Sequence, residues 1–390
     1  MNPYSCETCS DRTGRIVGKR ETVAGNSVEW AYDYDKAGRL TKARLDGKVV
    51  CQCWYDREGR RARDHFPLTV GPNMRDYAYT PDNRLTRAGN NSYTHDRSGF
   101  RAIWNSGGRF ALYIYAPDYR LLKVELPNDR IVLEFDHDAQ GRRSCKRRNG
   151  VVVESCSWLD FLRLAGFHDG EFGYRFLYDE GERTPHAMQR EDGAEFHLHY
   201  DQVGSLRVVA NVDGRVIQEI LYDPFGGIIK DTNTSLRIPI GFAGGLHDRE
   251  LGFVRFGWRD YDTFTGRWTA PDPIGNAGGD PDWYGYCLDD PVNGVDPSGL
   301  FDAEHDNEDR IGSLKNILKG GAVGAASGGL LGAGIGSVVP GAGTLVGGTV
   351  GTVTGFGKGL VDGVLAEGID KSSLSPSQKD VLHMLNSLVP

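Results

Sequence analysis

Cysteine is scarce in this chain: seven in 390 residues, at positions 6, 9, 51, 53, 145, 156 and 287. They are too scattered for a disulfide-stapled scaffold, and an odd number leaves at least one thiol free. The opening Met1-Asn2-Pro3-Tyr4-Ser5 lacks a basic segment followed by an apolar run, so export is expected by a route independent of a signal peptide. An excess of basic charge is missing too. Acidic residues outnumber basic ones 44 to 39 in residues 1–300 and 9 to 6 in 301–390, for a net charge of −8. Nucleic acid is therefore not an expected partner, because neutralising phosphates takes a concentrated basic surface.

Glycine is what the chain has in excess, with 53 residues, 34 of them in 1–300 and 19 in the last 90. This uneven placement predicts two regions with different backbone demands. With 39% hydrophobic and 25% charged residues, the chain can bury a sizeable core and is not wholly disordered.

The first 230 residues carry a repeat. Aromatic residues followed by Asp or a small residue recur at Tyr34-Asp35, Tyr55-Asp56, Tyr79-Thr80, Tyr115-Ala116, Phe135-Asp136, Tyr178-Asp179, Tyr200-Asp201 and Tyr222-Asp223, with His95-Asp96 and Trp158-Leu159 filling the wider gaps. A turn follows each pair, as in Asp35-Lys36-Ala37-Gly38-Arg39, where Gly suits a positive φ and Asp caps the turn. The flanks alternate apolar with polar, as in Val28-Glu29-Trp30-Ala31-Tyr32, so each unit reads as a β-hairpin with one buried face.

These repeats resemble the Rhs, or YD-repeat, family. The resemblance implies a mainly β fold in which hairpins add edge to edge into a curled sheet. Family shells are longer, so about ten hairpins are expected to make a partial shell. It implies three regions: repeats over 1–240, an Rhs-associated core over 241–300, and a variable C-terminal region over 301–390.

The core resemblance rests on Gly257-Trp258-Arg259-Asp260-Tyr261-Asp262, on Gly266-Arg267-Trp268, and on two Asp-Pro-x-Gly elements, Asp272-Pro273-Ile274-Gly275 and Asp296-Pro297-Ser298-Gly299. Within the family such a core is a self-cleaving aspartyl protease. Carried over, the catalytic pair is Asp272 and Asp296, and the cut falls between Leu300 and Phe301. Two neighbouring carboxylates cannot both ionise, so one stays protonated as an acid while the other activates water. Arg259 and Arg267 are the basic neighbours expected to hold the segment or bias the carboxylates. Taken singly, each Asp-Pro-x-Gly is also an ordinary turn. The family often has Asn before the second Asp-Pro pair, where this chain reads Leu288-Asp289-Asp290-Pro291, and an extra acid close to the pair is expected to push the carboxylate pKa values upward and slow cleavage.

Other chemistry-bearing residues read as structural. Cys6, Cys9, Cys51 and Cys53 offer four thiolates, but their irregular spacing favours plain strand cysteines over zinc. His197 and His199 share one strand face without a completing ligand, and His247-Asp248 is placed in a loop near the core. No metal and no cofactor is expected.

After Leu300 an acidic lead-in (Asp302, Glu304, Asp306, Glu308, Asp309) precedes 38 uncharged residues, Gly320–Gly357. Within and just beyond them Gly recurs every fourth position, at Gly320, Gly324, Gly328, Gly332 and Gly336, and again at Gly343, Gly347, Gly351, Gly355 and Gly359. Such arms are poor helices in water but pack closely in lipid, so a membrane-inserting hairpin turning at Pro340-Gly341 is expected, with a β-type or flexible linker as the alternative. With Arg310 the sole arginine after Leu300, a phosphate-handling enzyme is disfavoured there. The resemblance implies a polymorphic toxin of bacterial competition: a secreted effector that cuts itself and releases a membrane-permeabilising segment, with a target membrane, a cognate immunity protein and a secretion-system carrier as partners. The alternatives are a non-toxic YD-repeat surface or binding protein with a C-terminal anchor, or a remnant of a larger effector.

Overall fold

The computed structural model describes residues 3–300 and the backbone of Ala303–Glu304. Phe301 and the glycine series at 320–359, with the helices expected there, lie outside the described residues.

Twenty-two strands form one antiparallel meander, from β1 (Tyr4–Ser10) and β2 (Ile16–Val23) to β21 (Val216–Tyr222) and β22 (Ile228–Asp231). Each strand pairs with its neighbours in sequence, and β22 does not pair back onto β1. The sheet is thus not closed by backbone hydrogen bonds.

The turns explain why the repeat has its composition. Asp35 Oδ1 accepts the N–H groups of Ala37 (2.9 Å) and Arg39 (3.0 Å), and Gly38 supplies the left-handed residue at φ 92°. Arg39 Nε then bonds Asp35 Oδ2 at 2.8 Å, while its Nη1 reaches the carbonyl of Gly59 in the next turn at 2.9 Å. The same guanidinium lies 4.3 Å from the ring centre of Tyr55, whose hydroxyl donates back to the Leu40 carbonyl at 2.7 Å. One Asp–Arg–Tyr set therefore shapes its own turn and fastens the following hairpin. Arg60 with Asp56 and Tyr79, and Arg142 with Asp138 and the Asp160 carbonyl, repeat parts of the pattern. At Tyr79-Thr80 the Thr80 hydroxyl replaces the carboxylate, accepting Arg84 N–H at 3.0 Å, and Asn83 takes the positive φ.

One repeat unit is displaced from its expected place. The strand containing Phe135 continues to His137, and the turn is Asp138–Arg142, with Gly141 N–H donating to the Asp138 carbonyl at 3.0 Å. Phe135 and His137 are two apart and share a face, so alternation alone does not choose between them. The glycine three residues past Asp138 does.

Curl comes from register shifts at the turn aromatics: Tyr34, Tyr55, Tyr79, Tyr115, His137, Trp158, Tyr200 and Tyr222 each mark an irregularity in strand pairing. A bulge bends its strand and increases local twist, and the irregularity recurs in nearly every hairpin. The sheet therefore curls until β2 faces β20 (Leu206–Asn211). There Glu21, fully buried, accepts from Arg207 Nε at 2.8 Å, Tyr4 at 2.7 Å and Trp30 Nε1 at 2.9 Å. Side chains thus join the two ends of the sheet.

Inside the curl lies a second sheet, β23 (Leu246–Asp248), β24 (Phe253–Phe256), β25 (Arg259–Asp262) and β26 (Arg267–Trp268). Phe242, Phe256, Tyr261, Trp268 and Tyr286 stack against one another here, the Tyr261 and Tyr286 rings only 4.5 Å apart. Burial of such side chains stabilises by about 1.5–3 kcal/mol each.

Burial alone pushes the Glu21 carboxyl up, but the charges of Lys19 and Arg207 outweigh it and hold it at about 2. Its contribution is present above the ordinary carboxylate range and is lost only as the pH falls toward that value. Glu21→Gln removes the carboxylate facing buried Arg207 and is expected to cost about 3–5 kcal/mol, read as a lower urea midpoint at neutral pH; an unchanged midpoint would show the seam to be dispensable.

Candidate active site

The two Asp-Pro-x-Gly elements, separate turns in sequence, meet on one guanidinium. Arg259 opens β25, and its Nη2 lies 2.8 Å from Asp272 Oδ2 and 3.2 Å from Asp296 Oδ2. Those distances bound the separation of the two carboxylate oxygens at about 6 Å. All three side chains are buried. Arg259 is itself fixed from several sides: its Nη1 donates to the Trp283 carbonyl at 3.2 Å, its Nε donates to the Gly299 carbonyl, and its guanidinium sits 4.2 Å from the Trp268 ring centre.

Each Asp also shapes its own turn. Asp272 Oδ1 accepts Ile274 N–H at 2.8 Å, and Asp272 N–H donates to the Trp283 carbonyl at 2.9 Å. Asp296 Oδ1 accepts Leu300 N–H at 3.0 Å and the Ser298 hydroxyl at 3.1 Å. In each Asp, Oδ1 shapes the turn while Oδ2 meets Arg259.

Leu300 is fully buried. The Ser298 carbonyl accepts Trp258 N–H at 2.9 Å, and Gly299 adopts φ 71° where a Cβ would lie 2.5 Å from the Phe256 carbonyl. Only glycine fits that approach. The Leu300 carbonyl oxygen and Asp272 both border Gly278: a Cβ placed there would lie 2.7 Å from Asp272 Oδ2 and 2.8 Å from Leu300 O. The sum bounds the separation of these two oxygens at about 5.5 Å. Gly278, Trp268 and Ser298 stand in the motif-rich stretch, but nothing in their spacing marks them as part of the site.

The electrostatics divide the two carboxyls. Burial pushes Asp272 up to about 7, against the pull of Arg259 and with a further push from the Asp296 charge. Asp296 receives the Leu300 N–H and the Ser298 hydroxyl on one oxygen and faces Arg259 with the other.

The other expected participants lie elsewhere. Arg267 pairs with Asp282 at 2.7 Å and donates to the Asn83 carbonyl, stacking near Tyr79; it does not join Arg259. Asp289 bonds Arg61 at 2.7 Å, and Asp290 faces Arg15 at 3.3 Å, each with its own counter-charge. His247-Asp248 forms β23 rather than a loop: Asp248 bonds Lys146 at 2.8 Å, and buried His247 packs against the Tyr222 ring. Cys51 and Cys53 point into the core from β5 (Lys48–Tyr55), whereas Cys6 and Cys9 lie on β1, which pairs only with β2. His197 and His199 share β19 (Glu195–Tyr200), where burial lowers the pKa of His199.

Fold and repeat chemistry together define a YD-repeat shell protein. Residues 1–277 match the teneurin YD-shell family, and the chain belongs to that family. It is 29% identical to human teneurin-4 over 270 residues, covering 67% of this chain and 10% of that protein, and equally so to chicken teneurin-1. Drosophila teneurin-m is 29% identical over 324 residues. The chain thus spans about a tenth of the length of these relatives. Among solved structures, the Photorhabdus luminescens Tc holotoxin pore is similar with a TM-score of 0.47 at 15% identity, covering 77% of this chain and 18% of that one. The family match includes Asp272 and ends before Asp296.

Because Asp272 keeps its proton in the folded chain between the ordinary carboxylate range and about 7, folding stability drawn from this group falls as pH rises through that window. Difference infrared spectra of the full chain against Asp272→Asn are expected to show a protonated carboxyl near pH ~6 that is gone by about pH 8. An ionised Asp272 throughout would contradict the assignment.

Proposed function

We propose that this chain is a YD-repeat shell protein that cuts itself once, between Leu300 and Phe301, and so frees residues 301–390. The observation that carries this is the carbonyl oxygen of buried Leu300 within about 5.5 Å of Asp272 Oδ2 while Asp296 accepts the Leu300 N–H. In the proposed reaction Asp296 takes a proton from water as that water attacks the Leu300 carbonyl carbon. Protonated Asp272 gives its proton to the carbonyl oxygen. The resulting gem-diol then collapses with the C–N bond breaking: Asp296 gives its proton to the Phe301 nitrogen, and one diol hydroxyl returns a proton to Asp272 as the Leu300 carboxyl forms. One water is consumed, leaving a Leu300 carboxyl and a Phe301 amine. Arg259, in contact with both carboxyls, holds the two acids at a fixed separation.

The freed segment acts on a target membrane in this reading, because its uncharged, four-residue glycine period suits helix packing in lipid better than folding in water. A second reading draws on family membership instead: a YD-repeat binding protein, or a piece of a larger effector, in which the same segment is an anchor and nothing is released.

Intact-mass measurement of purified full chain is expected to find a fragment beginning at Phe301, missing from Asp272→Asn and Asp296→Asn. A chain that stays whole over days at neutral pH contradicts the proteolysis. Producing residues 301–390 in bacteria and following membrane potential separates toxin from anchor, since the toxin reading requires collapse of the potential and the anchor reading requires that it hold.

A further inference from the structure

The residues before the scissile bond are held by side chains and tight turns, but those after it are held differently. Ala303–Glu304, which we label β28, pairs antiparallel with β27 (Gly294–Val295), in the register Gly294↔Glu304 and Val295↔Ala303. Strand β27 ends at the residue before Asp296. The chain therefore leaves β27, passes through the carboxylate and the Leu300–Phe301 bond, and returns onto the same strand.

We propose that β27 is a positioning strand that captures, through main-chain hydrogen bonds, the segment beyond the cut and so fixes the scissile peptide against Asp272 and Asp296. The inference rests on the self-cleavage reading. Three features support it. First, β27 is itself anchored. Gly294 N–H donates to the Asp290 carbonyl at 3.0 Å, and a Cβ at 294 would lie 3.0 Å from the Cys287 Cβ, so the strand is pressed onto the turn behind it with its other edge toward β28. Second, that turn is tied to the shell through Asp289 to Arg61, and Asn293 bonds Ile16 N–H at 2.8 Å. Third, the opposite flank is immobilised independently by the Ser298, Gly299 and Leu300 contacts with Trp258, Arg259 and Asp296.

A peptide bond gripped on one side only swings about the grip. Gripping both sides holds the carbonyl in a near-attack arrangement, and displacement of about 1 Å can cost on the order of a hundredfold in rate. A main-chain ladder also makes the grip indifferent to side chains at 303 and 304, except proline, which has no N–H to give. Recognition by side chains is then confined to the residues before the cut.

The test uses the full chain. Self-cleavage half-times, read by intact mass, are compared for wild type, Ala303→Pro, Glu304→Pro and the side-chain controls Ala303→Val and Glu304→Gln. At least one proline variant is expected to slow cleavage by roughly tenfold or more, with both controls within about twofold of wild type. In the Asp272→Asn chain, amide exchange at Val295, Ala303 and Glu304 is expected to show protection that the slowing proline substitution removes. Proline variants that cut at the wild-type rate, or unprotected amides at these positions, overturn the positioning role and leave the proteolysis standing. A wild-type chain that never cuts overturns both.

Discussion

The inner face of the sheet carries buried cations whose counter-charges come from the segment it encloses, and the arrangement of the molecule depends on this. Arg101 bonds Asp262 at 2.7 Å, Lys146 bonds Asp248 at 2.8 Å, and Arg61 bonds Asp289 at 2.7 Å, while Arg75, whose counter-charge Asp64 lies on the sheet itself, donates to the Phe264 carbonyl at 2.8 Å. Arg143 lies between Asp248 and Asp260 at 3.5 and 3.6 Å. A buried ion that loses its partner costs several kcal/mol, so the hairpins and the inner sheet specify one another. The bulged turns give the sheet its curl, and the ion pairs set where the curl stops.

The candidate site is a local use of the same device. Arg259 is one more buried cation facing two carboxylates, like Arg143, but here both belong to Asp-Pro-x-Gly turns. Burial raises Asp272 toward neutrality, with a smaller push from the Asp296 charge, against the pull of Arg259. What elsewhere in the molecule is a structural ion pair here brings two carboxyls and a peptide carbonyl together around one guanidinium.

Much of this was legible in the residues. The aromatic–Asp pairs and the following glycines place nearly all the hairpin turns, because the pattern encodes a turn geometry that few other residues satisfy. The Phe135 unit shows the limit: a period of two repeats every other residue, and the glycine at 141 rather than the aromatic locates the turn. The two Asp-Pro-x-Gly elements are likewise readable, and so is the candidacy of Arg259. Choosing Arg259 over Arg267 is not, since both open strands of the same small sheet, and only the three-dimensional path shows that Asp282 claims Arg267. Nor does composition reveal Gly278, whose meaning is the space it leaves between two oxygens, or the pairing of Ala303–Glu304 with Gly294–Val295.

The account's central claim is that the Leu300 carbonyl and Asp272 face each other across a gap kept open by Gly278, and that bond cleavage happens there. Gly278→Ala changes no charge and removes no hydrogen-bonding side chain, yet puts a methyl within 2.7 Å of Asp272 Oδ2 and 2.8 Å of Leu300 O. Timed mass spectra of that variant, with its strand content checked by circular dichroism, should show a folded chain whose Phe301 fragment accumulates at least about a hundredfold more slowly than in wild type. A folded variant that releases the fragment at the wild-type rate would contradict the placement of the reaction.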